Sequence, residues 1–120
     1  MERQSRIVQV APVSMADFQK MFSEIYPNSG RTLLSGGVHL AEEMGEIGEA
    51  IHNFLGQHKG NQLDQVALEI ADYISCYFSL ANSARIDIAK ELEKKYFNNC
   101  HACHKEPCVC TFNFVSLLKT

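Results

Sequence analysis

Two pairs of acidic residues stand at the same spacing in this chain, Glu43 with Glu46 and Glu69 with Asp72, and four cysteines, Cys100, Cys103, Cys108 and Cys110, crowd together near its end. Carboxylates three residues apart share one side of a helix, so each pair can aim its oxygens at a common point. Oxygen ligands with no soft neighbour suit Mg²⁺, with Mn²⁺ as a substitute. The cysteines follow a C-x2-C-x4-C-x-C pattern whose thiolates suit tetrahedral Zn²⁺, with His101 or His104 able to replace one sulfur. Free thiols or a redox pair are the alternative uses of such a cluster. Two ligand sets, one hard and one soft, thus lie in different parts of the chain.

Helical periodicity is what must place the carboxylates. Residues 1–13 carry a short β-like run, 7–10, ahead of Pro12, and read as an N-terminal arm. Ser14 is positioned to cap a first helix, with Asp17 three residues on and Phe18, Met21, Phe22 and Ile25 repeating at helical spacing until Pro27 and Gly30 end the pattern. A second helix is predicted over residues 33–54, with Leu40, Met44, Ile47, Ile51 and Phe54 as its apolar stripe and with Gly36 and Gly37 weakening its first turn. Residues 56–61 read as a turn. A third helix follows over 62–82, turning Leu63, Val66, Ile70, Tyr73, Tyr77 and Ala81 inward, and Cys76 in its apolar run reads as core. The fourth, over 86–96, has Asp87 in its first turn and Lys94 and Lys95 in its last, which suits the helix dipole. The expected fold is all-α and four-helix-bundle-like over residues 14–99, with a Cys-rich tail over 100–120.

At about 100° per residue, with Leu40 at the origin, Glu43 falls near −60° and Glu46 near −120°, both on one flank of the stripe. Glu42 and Glu49 fall on the far side and should face solvent. On the third helix, with Val66 at the origin, Glu69 and Asp72 take the same two offsets, about −60° and −120°. Helices joined by a short turn pack antiparallel, and flanks of the same sign then point to the same side of the pair. Glu46 with Glu69, and Glu43 with Asp72, are each centred between Gln57 and His58, so their levels agree too. Charge on a single helix flank is ordinarily a solvated rim. Two matched pairs instead predict four carboxylates in one groove, repelling one another unless a cation neutralises them. A ferritin-like di-iron centre would require Glu-x-x-His on two helices, whereas the positions three residues after Glu43, Glu46 and Glu69 hold Glu46, Glu49 and Asp72.

The segments EEMGEIGEA and EIADYISCYF resemble the Glu-x-x-Glu and Glu-x-x-Asp signature of the MazG-like nucleotide pyrophosphohydrolases, in the all-α NTP pyrophosphatase superfamily. The resemblance extends over residues 18–110, including FQKMFSEIYP before the motif and RIDIAKELEKKY after it. It implies a MazG-type domain that hydrolyses an NTP or dNTP to the monophosphate and pyrophosphate, with Glu43, Glu46, Glu69 and Asp72 as Mg²⁺ ligands. Asp87, Lys95 and either Asn98 or Asn99 would contact the nucleotide, and the protein would be a homodimer or homotetramer. Glu46 is the candidate general base, with Glu43 its nearest rival, because Glu46 points farthest into the groove. His39, near −100° on the same flank by the same count, could touch substrate or hydrogen-bond a ligating carboxylate. A noncatalytic nucleotide- or metal-binding helical module is the other function compatible with these residues, and pyrophosphohydrolysis of a specialised nucleotide such as a phosphoribosyl-ATP is a variant of the first.

Composition restricts the partners. The 120 residues, 46% of them apolar, suffice for one domain with a core. A formal charge of −3 without any Lys/Arg block argues against nucleic acid as a partner. No stretch reaches the roughly 20 apolar residues of a membrane span, and the first residues lack an apolar signal-peptide core, so a cytoplasmic protein is expected.

Overall fold

The computed structural model describes residues 5–27, 30, 32–57 and 61–111. Among them the chain forms four helices, α1 (Met15–Ile25), α2 (Leu33–Gln57), α3 (Asn61–Ser83) and α4 (Ile88–Lys95), and no strand. The β-like run at residues 7–10 is irregular and exposed, because no second strand offers it hydrogen bonds. Residues 58–60 of the predicted turn and the tail beyond Thr111 lie outside the described residues.

Local side-chain chemistry starts the helices. Ser14 Oγ accepts the Asp17 N–H at 3.0 Å, while Asp17 Oδ2 accepts the N–H groups of Ser14 and Val13, each at 3.2 Å. This is a capping box with Asp in the acidic position. The two backbone donors, Ser14 foremost, hold the Asp17 carboxyl below its ordinary value. At the start of α2 the same reciprocity joins Thr32 and Ser35, whose N–H groups each donate to the other's hydroxyl at 3.0 and 3.1 Å. α4 begins two residues later than predicted. Asp87 is its N-cap and not a member of its first turn, in extended backbone geometry and accepting the Lys90 N–H at 3.2 Å.

α2 and α3 pack as an antiparallel hairpin along most of their length. Gly36 faces Leu80 and His39 faces Cys76, so residue numbers in contact sum to an almost constant value. A Cβ at Gly36 would lie 2.8 Å from Leu80 Cδ1, the tip of a side chain that would have to turn aside to admit it, so Leu80 packs directly on the α2 backbone at this end. α1 crosses the C-terminal half of α3, stacking Phe22 on Phe78 with ring centroids 5.7 Å apart. Gln19 ties three helices together. Its amide donates to Asn82 Oδ1 at 2.9 Å and to the Ile86 carbonyl at 2.6 Å, and its Oε1 accepts the Ile88 N–H at 3.1 Å.

The core is therefore a small cluster, Phe78, Ala81 and Ile88 with Phe22 against it, beside the α2–α3 seam that buries Ala50, Val66 and Cys76. Phe78 lies outside the single stripe predicted for the third helix. α3 has neighbours on two sides, α2 and the α1–α4 pair, so it needs two apolar faces. Conversely, Met44, Ile51, Leu63 and Ile70, predicted to face inward, are exposed, and with Leu55 and Ile74 they form an apolar flank along the hairpin. No helix among the described residues is long and apolar enough to cross a membrane.

Candidate functional site

On the hairpin's other flank, Glu43 from α2 and Glu69 and Asp72 from α3 bring carboxylate oxygens within 4.8 Å of one another. Glu43 and Glu69 are half-buried and Asp72 is exposed. Each of the two glutamates has one oxygen held and one left over. His39 Nε2 donates to Glu43 Oε1 at 3.1 Å, and Gln65 Nε2 donates to Glu69 Oε1 at 2.8 Å. Oε2 of Glu43 and Oε2 of Glu69 are shut off from solvent and accept no hydrogen bond from any described residue. Buried anionic oxygens without a donor are costly, and a cation is the partner that satisfies several at once.

Glu46 is exposed and does not belong to this group, although it stands level with Glu69 in the register. The matched offsets locate a flank but not the direction of a flexible carboxylate within it. Of the residues expected to touch nucleotide, His39 makes the carboxylate hydrogen bond that its position one turn before Glu43 allows. Asp87 is spent on its cap, on a shallow cleft with Gln19, Asn82 and Arg85. Lys95 Nζ lies 5.8 Å from the Tyr96 ring centre, and Asn98 sits in a left-handed turn with φ of 65°. None of these three joins the acidic group.

Cys76 is the neighbour that sequence reasoning passed over as plain core. It is buried as expected, but its Sγ lies 3.6 Å from His39 Nδ1, and His39, Glu43 and Cys76 form a second close set of potential ligands. The signal was available. Cys76 falls near −80° on the third helix by the same angular count, beside Glu69, and is centred with His39 on the same point between residues 57 and 58.

The tail makes the other cluster. Cys100, Cys103, Cys108 and Cys110 all lie within 4.8 Å of one another by their sulfurs, and such a set could hold a metal such as zinc. Neither histidine takes part: His101 stands edge-on to Tyr96, with ring centroids 5.5 Å apart, and His104 is exposed. Backbone N–H groups, that of Val109 foremost, pull the Cys103 thiol down to about 6 and those of Cys103 and Ala102 lower Cys100. Desolvation and the neighbouring sulfurs push Cys110 up to about 12.

No family model, no curated protein and no solved structure matches this chain. Its functional reading therefore rests on its own residues.

Proposed function

We propose that the chain is a Mg²⁺-dependent nucleoside triphosphate pyrophosphohydrolase of the MazG-like kind, and the observation that carries the reading is the pair of buried, unpartnered oxygens on Glu43 and Glu69 beside Asp72. The donor set is all oxygen and carries three negative charges, which fits a hard divalent cation. Glu43, Glu69 and Asp72 would hold it, with Glu46 at the margin of the site. Bound there, Mg²⁺, or Mn²⁺ in its place, neutralises triphosphate oxygens and makes water more acidic.

The remaining work falls to the chain's own side chains. His39 and Gln65 fix the inward glutamates by taking one oxygen of each, so that the other points to the shared centre. Glu46, exposed at the rim, accepts the proton of the attacking water as general base. The water oxygen bonds to the α phosphorus, the bond to the bridging oxygen breaks, and pyrophosphate leaves with that oxygen.

The protein is proposed to act as a homo-oligomer. The apolar flank of Met44, Ile51, Leu55, Ile70 and Ile74 is exposed on this chain, and a second copy would cover it.

Phosphorus NMR of a panel of NTPs and dNTPs incubated with protein and Mg²⁺ tests the reaction. Monophosphate and pyrophosphate are the expected products. Orthophosphate and diphosphate alone would refute α-phosphorus attack, and nucleotide binding without turnover would assign the chain to the noncatalytic module instead.

A further inference from the structure

The loop after α4 holds its shape with a few backbone hydrogen bonds and no regular secondary structure. Residues 96–111 contain no helix or strand and no buried residue, so neither a hydrogen-bonded ladder nor an apolar core accounts for their conformation. Four thiols nevertheless converge inside it. Cys100 Sγ lies 3.9 Å from Cys110 Sγ, and Cys103 Sγ lies 3.9 Å from Cys108 Sγ. Four sulfurs around a tetrahedral ion, each about 2.3 Å from it, are roughly 3.8 Å apart. The cysteines are unoxidised, and both pairs stand at the spacing an ion would impose.

The backbone is arranged around the sulfurs in the same sense. The Ala102 N–H donates to Cys100 Sγ at 3.4 Å, and the Cys110 N–H donates to Cys108 Sγ at 3.3 Å. The N–H groups of Cys103 and of Val109 and Lys105 add to this, the first toward Cys100 and the others toward Cys103. Donors aimed at sulfur favour thiolate over thiol and fix its direction, which is what surrounding donors do for the ligands of a metal. The chain returns on itself through His104, whose N–H reaches the Cys100 carbonyl at 2.8 Å with φ of 59°. The Cys100 N–H in turn reaches the Lys105 carbonyl at 3.1 Å.

We propose that Cys100, Cys103, Cys108 and Cys110 form a closed, tetrahedral zinc site that shapes the segment after α4. Four protein sulfurs fill the coordination sphere, leaving no open position for water or substrate, so the site is structural. Zinc is favoured over ferrous iron because divalent zinc binds a given set of such ligands more tightly. His101, engaged with Tyr96, stays outside the coordination sphere and links the loop to the end of α4. Binding releases the protons of the remaining thiols to solvent.

The test is elemental analysis of the full chain purified without chelator under a phosphine reductant. About one zinc per chain is expected, falling below about a tenth in the Cys103→Ser, Cys108→Ser double variant and unchanged in Glu69→Gln. Because loss of the metal can itself unfold the double variant, wild-type protein stripped at low pH is also titrated with Co²⁺. Intense visible bands of tetrahedral cobalt with thiolate charge transfer, displaced by one equivalent of Zn²⁺, are the expected result. Absence of zinc together with failure to bind Co²⁺, iron in place of zinc, or zinc lost equally in Glu69→Gln would each overturn the proposal.

Discussion

Replacing Glu69 by Gln should make the metal-free protein more stable while abolishing its response to Mg²⁺. In the absence of a cation, the Glu69 carboxylate faces two like charges within 4.8 Å. A pair of unit charges at that distance repels by about 3.5 kcal/mol at an effective dielectric of about 20. Asp72 is exposed and screened, so the gain on removing Glu69's charge is taken as about half of one such pair, roughly 1.7 kcal/mol. With unfolding entropy of about 2 cal/mol/K per residue, that raises the metal-free Tm by roughly 7 °C. The amide preserves volume, and its oxygen can still accept the Gln65 N–H. In the wild type, Mg²⁺ at about a hundredfold excess over its Kd should add about 2.7 kcal/mol, roughly 10 °C, and in Glu69→Gln nothing comparable. Differential scanning calorimetry of both proteins, with and without Mg²⁺, reads all four values. A lower metal-free Tm in the variant, or an undiminished Mg²⁺ shift, would refute the reasoning that these carboxylates repel one another and await a cation.

The proposed base at the rim gives a separate outcome: Glu46→Gln should reduce pyrophosphate release by two to four orders of magnitude, the usual worth of a general base, with the Mg²⁺-induced Tm shift retained. Glu42→Gln, on the solvent face, should leave turnover within about twofold, and equal damage at both positions would dismiss the assignment. At the other end of the domain, the capping box gives a pH dependence. The folded-state carboxyl of Asp17 is lowered, so its stabilisation is present above about pH 4 and is lost as pH falls through the folded value. Thermal melts between pH 2 and pH 6 should therefore show a smaller acid-induced loss in Asp17→Asn than in wild type, and identical slopes would remove this contribution.

The helices were legible because their signals are local. Ser14 and Asp17 announce the first N-cap, and Pro27 with Gly30 stops that helix within two residues of its observed end. The register of the hairpin was also legible, since a short connection leaves few ways to align two helices, and His39 facing Cys76 obeys the centre that pairs Glu43 with Asp72. Which apolar side becomes the core was not. It depends on where α1 and α4 come to rest on α3, a tertiary choice that made Phe78 central and left Met44 and Ile70 exposed. Asp87 shows a different failure: the same residue type serves as ligand contact or N-cap, and only the φ of −88° and the bond to Lys90 decide between them. For the acidic group, periodicity placed Glu43, Glu69 and Asp72 on one flank, as observed, while the exposure of Glu46 at the edge of that flank depends on side-chain freedom that spacing does not encode.

The close approach at Gly36 also bears on which ions the acidic flank can accept. α2 and α3 are held near each other at two levels, by the short connection between Gln57 and Asn61 and, at the far end, by the contact of Leu80 with Gly36. Glu43, Glu69 and Asp72 sit between those levels, like a load on a beam supported at both ends. To spread at the middle the helices would have to bow between these two supports. An ion larger than the gap must then be met by bending side chains at fixed helix separation, and each glutamate has already committed one oxygen, to His39 or to Gln65. In the proposed Mg²⁺ site the hairpin would then act as a calliper, favouring magnesium or manganese over calcium by the stiffness of its backbone as well as by the identity of its ligands.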